Sequence, residues 1–261
     1  TCPADYDQLL QGRAVRLTAT DAPYNLEVGG CVSTTEKYRE FKNGSGEMTS
    51  AQFTEFLGKV GQLAAQHSVD GAIGAFFMDW RHIRELMDAM REPYGELKQL
   101  CVWAKPQAGM GTFYRQQHEL ILIFKKGDAP NVNNFELGQN GRYRSNLWQY
   151  PNPNRSGKNQ DPAIAGHPTP KPVALVADCI RDLSHHGEVI LDPFLGSGTT
   201  IIAAERTGRH AYGLEIDPLY VDALVRRWQN FTGLKGTLQA TGQTFDEVVA
   251  ERTAQNGGGH E

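Results

Sequence analysis

Thr20–Asn25 reads TDAPYN and follows the apolar alternation AVRLTA of Ala14–Ala19. At the end of a strand this stretch offers a hydrogen-bond acceptor, Asp21, beside an aromatic face, Tyr24. A second group of chemically capable residues is VILDPFLGSGTT (189–200), an apolar strand followed by an acid, two glycines and a helix start. Gly196 and Gly198 let the backbone turn tightly and approach a ligand where side chains would clash. The helix start presents unpaired N–H groups to a carboxylate or phosphate. About twenty residues further on, Glu215 lies near the end of HAYGLEID, placed to accept hydrogen bonds from ribose hydroxyls as acids do in dinucleotide folds. The plain alternative is a tight turn with a solvated glutamate, but the spaced acid favours a nucleoside cofactor. The absent GKS or GKT tail argues against a Walker-type triphosphate site.

The elements that must position these groups alternate. A strand is expected at about 14–20. Thr49 or Ser50 caps a helix running to about His67, with Phe53, Phe56, Leu57, Val60 and Leu63 on one face. GAIGAFFMD (71–79) is apolar enough for a strand buried on both faces. A helix over RHIRELMDAMRE and strands over LKQLCVWAK and HELILIFKK follow. After residue 166 come the helix KPVALVADCIRDLS, the strand EVILDPF, the helix GTTIIAAERTG, the strand HAYGLEID and the helix PLYVDALVRRWQNF. Such alternation predicts one α/β domain over 1–261, a doubly wound, mostly parallel sheet with a small irregular insertion. Residues 29–48 read as a mobile loop, and the tail AQNGGGHE as disordered.

Composition narrows the classes. The 261 residues carry a net charge of −4, so any nucleic-acid surface must be local, and 39% hydrophobic content supports a sizeable core. No apolar run approaches the roughly 18 residues of a membrane span. Cys2, Cys31, Cys101 and Cys179 show no CxxC spacing, which fits a reducing cytoplasm and neither a disulfide framework nor a metal site. Thr1 in place of a methionine fits a trimmed chain or a piece of something longer.

The stretch from HPTPKP (167–172) through VILDPFLGSGTT and YGLEID to DALVRR closely resembles the cofactor half of amino-methylating DNA methyltransferases. VWAKPQAGMGTFYRQQHELILIFKKG resembles their middle. The motif order, TDAPYN first and the glycine turn last, resembles the permuted beta class. The resemblance implies a Rossmann-like class I methyltransferase fold and S-adenosylmethionine as cofactor, with S-adenosylhomocysteine as product. It implies that Asp192, Phe194, Gly196, Ser197, Gly198 and Thr199 surround the cofactor's methionine part and that Glu215 takes the ribose. Thr169 and Lys171 match a motif that helps hold the cofactor, with Lys171 paired to its carboxylate.

TDAPYN stands where the family has Asp-Pro-Pro-Tyr, and the chemistry implied explains the residue types. The lone pair of an aromatic amine is delocalised into the ring. Two acceptors on the amine hydrogens draw the nitrogen towards a tetrahedral shape and free that pair for a methyl group. Asp21 supplies one acceptor and the carbonyl of Ala22 the other, while Pro23 and Tyr24 complete the motif. The target base must be flipped out of the duplex, and Tyr24 stacks on it. No metal is required. Ala22 replaces a proline, so the carbonyl survives and the restricted φ is lost. Asp rather than Ser opens the motif, favouring adenine as the target. Cytosine N4 remains an alternative, as do a weakened DNA- or cofactor-binding module and an RNA or protein-amide methyltransferase.

Residues 127–166 are the expected target-recognition segment. Arg142, Arg144, Arg155 and Lys158 interleave there with Tyr143, Trp148 and Tyr150, either to meet phosphates and bases or as a surface excursion whose Trp148 packs on the sheet. Lys105 and Arg115 belong to a loop expected near the crevice. His118–Glu119 is not a zinc motif, because Leu122 stands where HExxH needs its second histidine. A homodimer, a restriction-modification setting and a cognate nuclease stay open.

Overall fold

A computed structural model describes residues 2–26, 46–109, 113–135, 144–153 and 170–257. Its elements run α1 (Pro3–Leu10), β1 (Val15–Asp21), α2 (Ser50–Gln66), β2 (Ser68–Met78), α3 (Ile83–Met90), β3 (Leu97–Ala104), β4 (His118–Lys125) and β5 (Leu147–Gln149). They continue with α4 (Val173–Leu183), β6 (Val189–Asp192), α5 (Thr199–Thr207), β7 (His210–Gly213), α6 (Pro218–Thr232) and α7 (Phe245–Gly257).

The sheet has seven strands in the order β5-β3-β4-β2-β1-β6-β7. β4 alone runs antiparallel to its neighbours, β2 and β3, so the sheet is mostly parallel as the alternation predicts. β2 is apolar because both faces are covered. Ile73, Ala75 and Phe77 join α4 and α5 in one core layer, while Phe76 and Met78 join α2 and α3 in the other. Thr49 caps α2 in a reciprocal pair with Gln52. β2 begins at Ser68 rather than Gly71. Gly71 lies at φ +79, where a Cβ would come within 2.6 Å of the Pro130 carbonyl oxygen. That kink accompanies a register shift against β1.

Three expectations change. α1 is a helix without an expected counterpart, seated by buried Tyr6 and Leu10. α7 runs through Gly257, so the tail from 254 is helical as far as it is described. Within the irregular segment, β5 adds to the sheet parallel to β3, with Trp103 opposite Trp148. Trp148 is buried, and Trp103 Nε1 donates to the Tyr150 carbonyl at 2.9 Å. Most of the expected 29–48 loop lies outside the described residues.

The chain leaving β1 is pinned at Asn25, which is buried at φ 50. Its side-chain amide donates to the Met48 carbonyl at 2.8 Å and accepts from the Met48 N–H at 3.1 Å. Asn25→Ala loses both bonds and puts an alanine in the left-handed region, so it should destabilise the protein by about 2–4 kcal/mol. Asn25→Gly loses the same two bonds but accepts the left-handed backbone, and should lose about 1 kcal/mol less. Urea denaturation of both variants checks the ordering.

Candidate functional site at the carboxyl edge of the sheet

β1 pairs in parallel with β6, Thr18 lying opposite Leu191. Asp21 and Asp192, the last residues of these two strands, therefore reach the same edge. Asp192 is only 4% exposed. It accepts from the Thr20 hydroxyl at 2.7 Å, the Thr200 hydroxyl at 2.6 Å and the Phe194 N–H at 3.1 Å. Burial pushes its pKa up to about 6, against the pull of the two threonines and the amide, and the Asp21 charge adds to the rise. Asp192 thus knits β1, β6 and α5 together beneath the turn. Thr20 and Thr200, the side chains that satisfy it, were not expected to take part.

The glycine turn has the form its sequence requires. Gly196 and Gly198 take φ 49 and 74, and a Cβ on Gly198 would lie 2.9 Å from Leu224 Cβ. Glu215 accepts from the Gly196 N–H and the Asp217 N–H, both at 2.8 Å. Its carboxylate is thereby held across the mouth of the turn. Phe194 packs against Phe56 of α2, with ring centroids 5.8 Å apart. Ser197 and Thr199 are buried, their hydroxyls 3.3 Å apart. Thr199 also donates to the Lys171 carbonyl at 3.3 Å, which ties the turn to the segment before α4. Thr169 lies outside the described residues.

Lys171 is where the arrangement departs from expectation. Its ammonium is paired with protein carboxylates, 2.5 Å from Asp21 Oδ2 and 3.1 Å from Glu119 Oε2. The side chain is 6% exposed and Nζ sits 5.4 Å from the centre of the Tyr24 ring. The Tyr24 hydroxyl lies 2.7 Å from Asp21 Oδ1 and 3.1 Å from Glu119 Oε2, so its single proton is shared between two acceptors. The other Glu119 oxygen holds Lys105 at 2.5 Å. Burial pushes the Asp21 carboxyl up; Lys171 opposes that, the Glu119 charge reinforces it, and the net direction is upward. Burial raises Glu119 too, but Lys171 and Lys105 outweigh it and bring its pKa down to about 2. Lys171 itself is held above the usual lysine range, because its two carboxylates overcome its burial. Glu119, dismissed above with the zinc motif, is the main site residue that the sequence reading missed.

The expected DNA contacts divide. Lys105 is committed to Glu119 and lies 4.7 Å from the Trp103 ring centre. Arg144 pairs with Asp182 and lies 4.9 Å from the Trp148 ring centre, while donating to the Tyr150 hydroxyl at 3.3 Å. It braces β5 against α4. Arg115 is exposed on the β3–β4 loop beside Phe113 and Tyr114, which are 89% and 81% exposed. Because β4 runs antiparallel, that loop lies at the same edge as Asp21. Arg142, Arg155 and Lys158 lie outside the described residues. Among the described residues, no group of three or more His, Cys, Asp or Glu side chains could hold a metal ion, and no helix is long and apolar enough to cross a membrane.

A family model described as DNA methylase matches residues 15–226. The type II methyltransferase M.HpaI of Haemophilus parainfluenzae is 27% identical over 238 residues, spanning 84% of this chain and 69% of that protein. Among solved structures, the M1.HpyAVI–SAM complex superposes with a TM-score of 0.62 at 23% identity, covering 87% of this chain and 93% of the other. PvuII DNA methyltransferase, described as cytosine-N4-specific, gives a TM-score of 0.63 at 17% identity, covering 87% and 82%. At these identities the likeness shows the fold, which is the Rossmann-like one of these methyltransferases.

The Asp192 pocket makes a pH prediction. A carboxyl with a pKa of about 6 when folded and 3.8 otherwise binds its proton more tightly in the folded chain. Its contribution to stability is therefore full below pH 3.8 and falls as pH rises to about 6, by at most roughly 3 kcal/mol. Asp192→Asn should flatten that fall, with the raised Asp21 carboxyl leaving a smaller one. Urea denaturation at pH 4.5 and pH 7.5 would show it, and an unchanged pH dependence in the variant would contradict it.

Proposed function

Because the chain belongs to the DNA methylase family N6_N4_Mtase, we propose that it transfers a methyl group from S-adenosylmethionine to the exocyclic amine of adenine in DNA. One observation carries the reading. Asp21 and the glycine turn end adjacent parallel strands, β1 and β6, so a base at Asp21 and a cofactor at the turn would share one crevice.

The turn suits a nucleoside cofactor. Its backbone is open where a side chain would meet Leu224, and Glu215 is already fixed by two amides with lone pairs left for ribose hydroxyls. Asp192, Phe194, Ser197 and Thr199 shape its floor and wall. S-adenosylmethionine supplies a methyl group on a sulfonium. Asp21 accepts one hydrogen of the target amine and the Ala22 carbonyl the other, so negative charge faces the positive charge that develops on nitrogen. Tyr24 stacks on the flipped base. The Ala22 side chain is buried in an apolar cluster that also holds Phe53 and Phe76, so the carbonyl is held even without a proline ring. Phe113, Tyr114 and Arg115 face the DNA from the β3–β4 loop, and Arg142, Arg155 and Lys158 contact phosphates within a target-recognition segment over 127–166. Cytosine N4 is the alternative target, since its amine offers the same two hydrogens. The cytoplasm and a restriction-modification setting follow from this activity.

Two variants test the reading from opposite sides. Glu215→Ala leaves ribose hydroxyls poorly paired, about 1–3 kcal/mol, and should weaken S-adenosylmethionine roughly tenfold or more by calorimetry. Asp21→Asn should slow single-turnover methyl transfer about a hundredfold while duplex affinity stays nearly unchanged. Transfer by Asp21→Asn at the parent rate would refute the assignment.

A further inference from the structure

We propose that Glu119 is a positioning residue for Asp21, sharing with it both the Lys171 ammonium and the Tyr24 hydroxyl proton. The inference rests on the reading of Asp21 as the acceptor for the target amine.

Lys171 carries one positive charge and faces two carboxylates, at 2.5 Å and 3.1 Å. If Asp21 were its sole partner, the full charge of the ammonium would fall on Asp21 and weaken it as an acceptor. Glu119 takes part of that charge, and Lys105, at 2.5 Å from the other Glu119 oxygen, keeps Glu119 ionised. The four side chains balance two cations against two anions. The two carboxylates are nonetheless driven in opposite directions, which separates a permanent anion from a group poised to take a proton. Asp21 is also faced by the Tyr24 phenol and, from β6, by Asp192.

The chemistry gives this asymmetry a use. As the amine's lone pair forms the new carbon–nitrogen bond, the carbon–sulfur pair stays with the departing sulfur and the nitrogen becomes positive. One N–H then breaks, its electron pair returns to nitrogen, and its proton passes to Asp21, to leave for water with the product. A less basic Asp21 would polarise the amine less and accept that proton less readily.

The test is a 13C-carboxyl NMR titration of Asp21 in the whole chain, assigned with Asp21→Asn, alongside the pH profile of single-turnover transfer to duplex DNA. Glu119→Gln keeps shape and removes charge. It should lower the Asp21 midpoint by about one pH unit, move the acid limb of the rate profile down with it, and reduce the plateau about three- to tenfold. Lys105→Gln, a change at the edge of the network, should move both the other way. A midpoint that stays in place or rises in Glu119→Gln would overturn the inference. So would a midpoint that moves while the acid limb does not. If the midpoints move as expected and the parent chain transfers no methyl group, the proposed activity fails while the coupling of Glu119 to Asp21 stands.

Discussion

A buried ammonium has to be neutralised where it lies, because neither water nor a flexible surface partner can reach it. Lys171 meets that demand with carboxylates from two strands, Asp21 at the end of β1 and Glu119 at the start of β4. These three pieces are far apart in the chain, and satisfying one charge brings them to one point. Lys171 is placed from the other side as well. Pro170 and Pro172 flank it, both buried, and its carbonyl accepts from Thr199 in the first turn of α5. The same residue therefore registers the TDAPYN edge of the crevice against the glycine-turn edge.

A second buried carboxylate fixes the two edges from below. Asp192 gathers Thr20 of β1, Thr200 of α5 and the Phe194 amide, so the strand carrying Asp21 and the helix opening the turn share one acceptor. Three carboxylates within this region thus have three environments. Asp192 is dry and met by hydroxyls, Glu119 lies between two lysines, and Asp21 has part of one lysine and one phenol. Of the three, Asp21 combines a raised pKa with a place beside the β3–β4 loop and the crevice. That is the arrangement expected where an amine must be polarised and later deprotonated.

What was legible in the sequence depended on how local the signal was. The apolar run of β2, the cap of α2 at Thr49 and the glycine turn are written in neighbouring residues, and the structure has them within a few positions. The pairing of β1 with β6 followed from the rule for doubly wound sheets. Ion pairs across the chain have no such signature. Asp21 and Lys171 are 150 residues apart, and Glu119 stood next to a histidine that suggested, and failed, a zinc motif. Arg144 looked like a DNA contact because basic and aromatic residues interleave around it, and Lys105 because its loop was expected near the crevice. The same composition serves to stack Arg144 on Trp148 and Lys105 on Trp103 inside the fold. Trp148 itself joins the core because β5 pairs with β3, and a three-residue strand is too short to show a period.

The identity of the methylated atom can be read directly. Duplex DNA of mixed sequence, incubated with the chain and S-adenosylmethionine, would be digested to nucleosides and analysed by mass spectrometry. N6-methyladenine as the accumulating product, dependent on the intact Asp21 carboxylate, is the expected result. N4-methylcytosine would contradict the adenine assignment, and DNA without any methylated amine would contradict the proposed reaction.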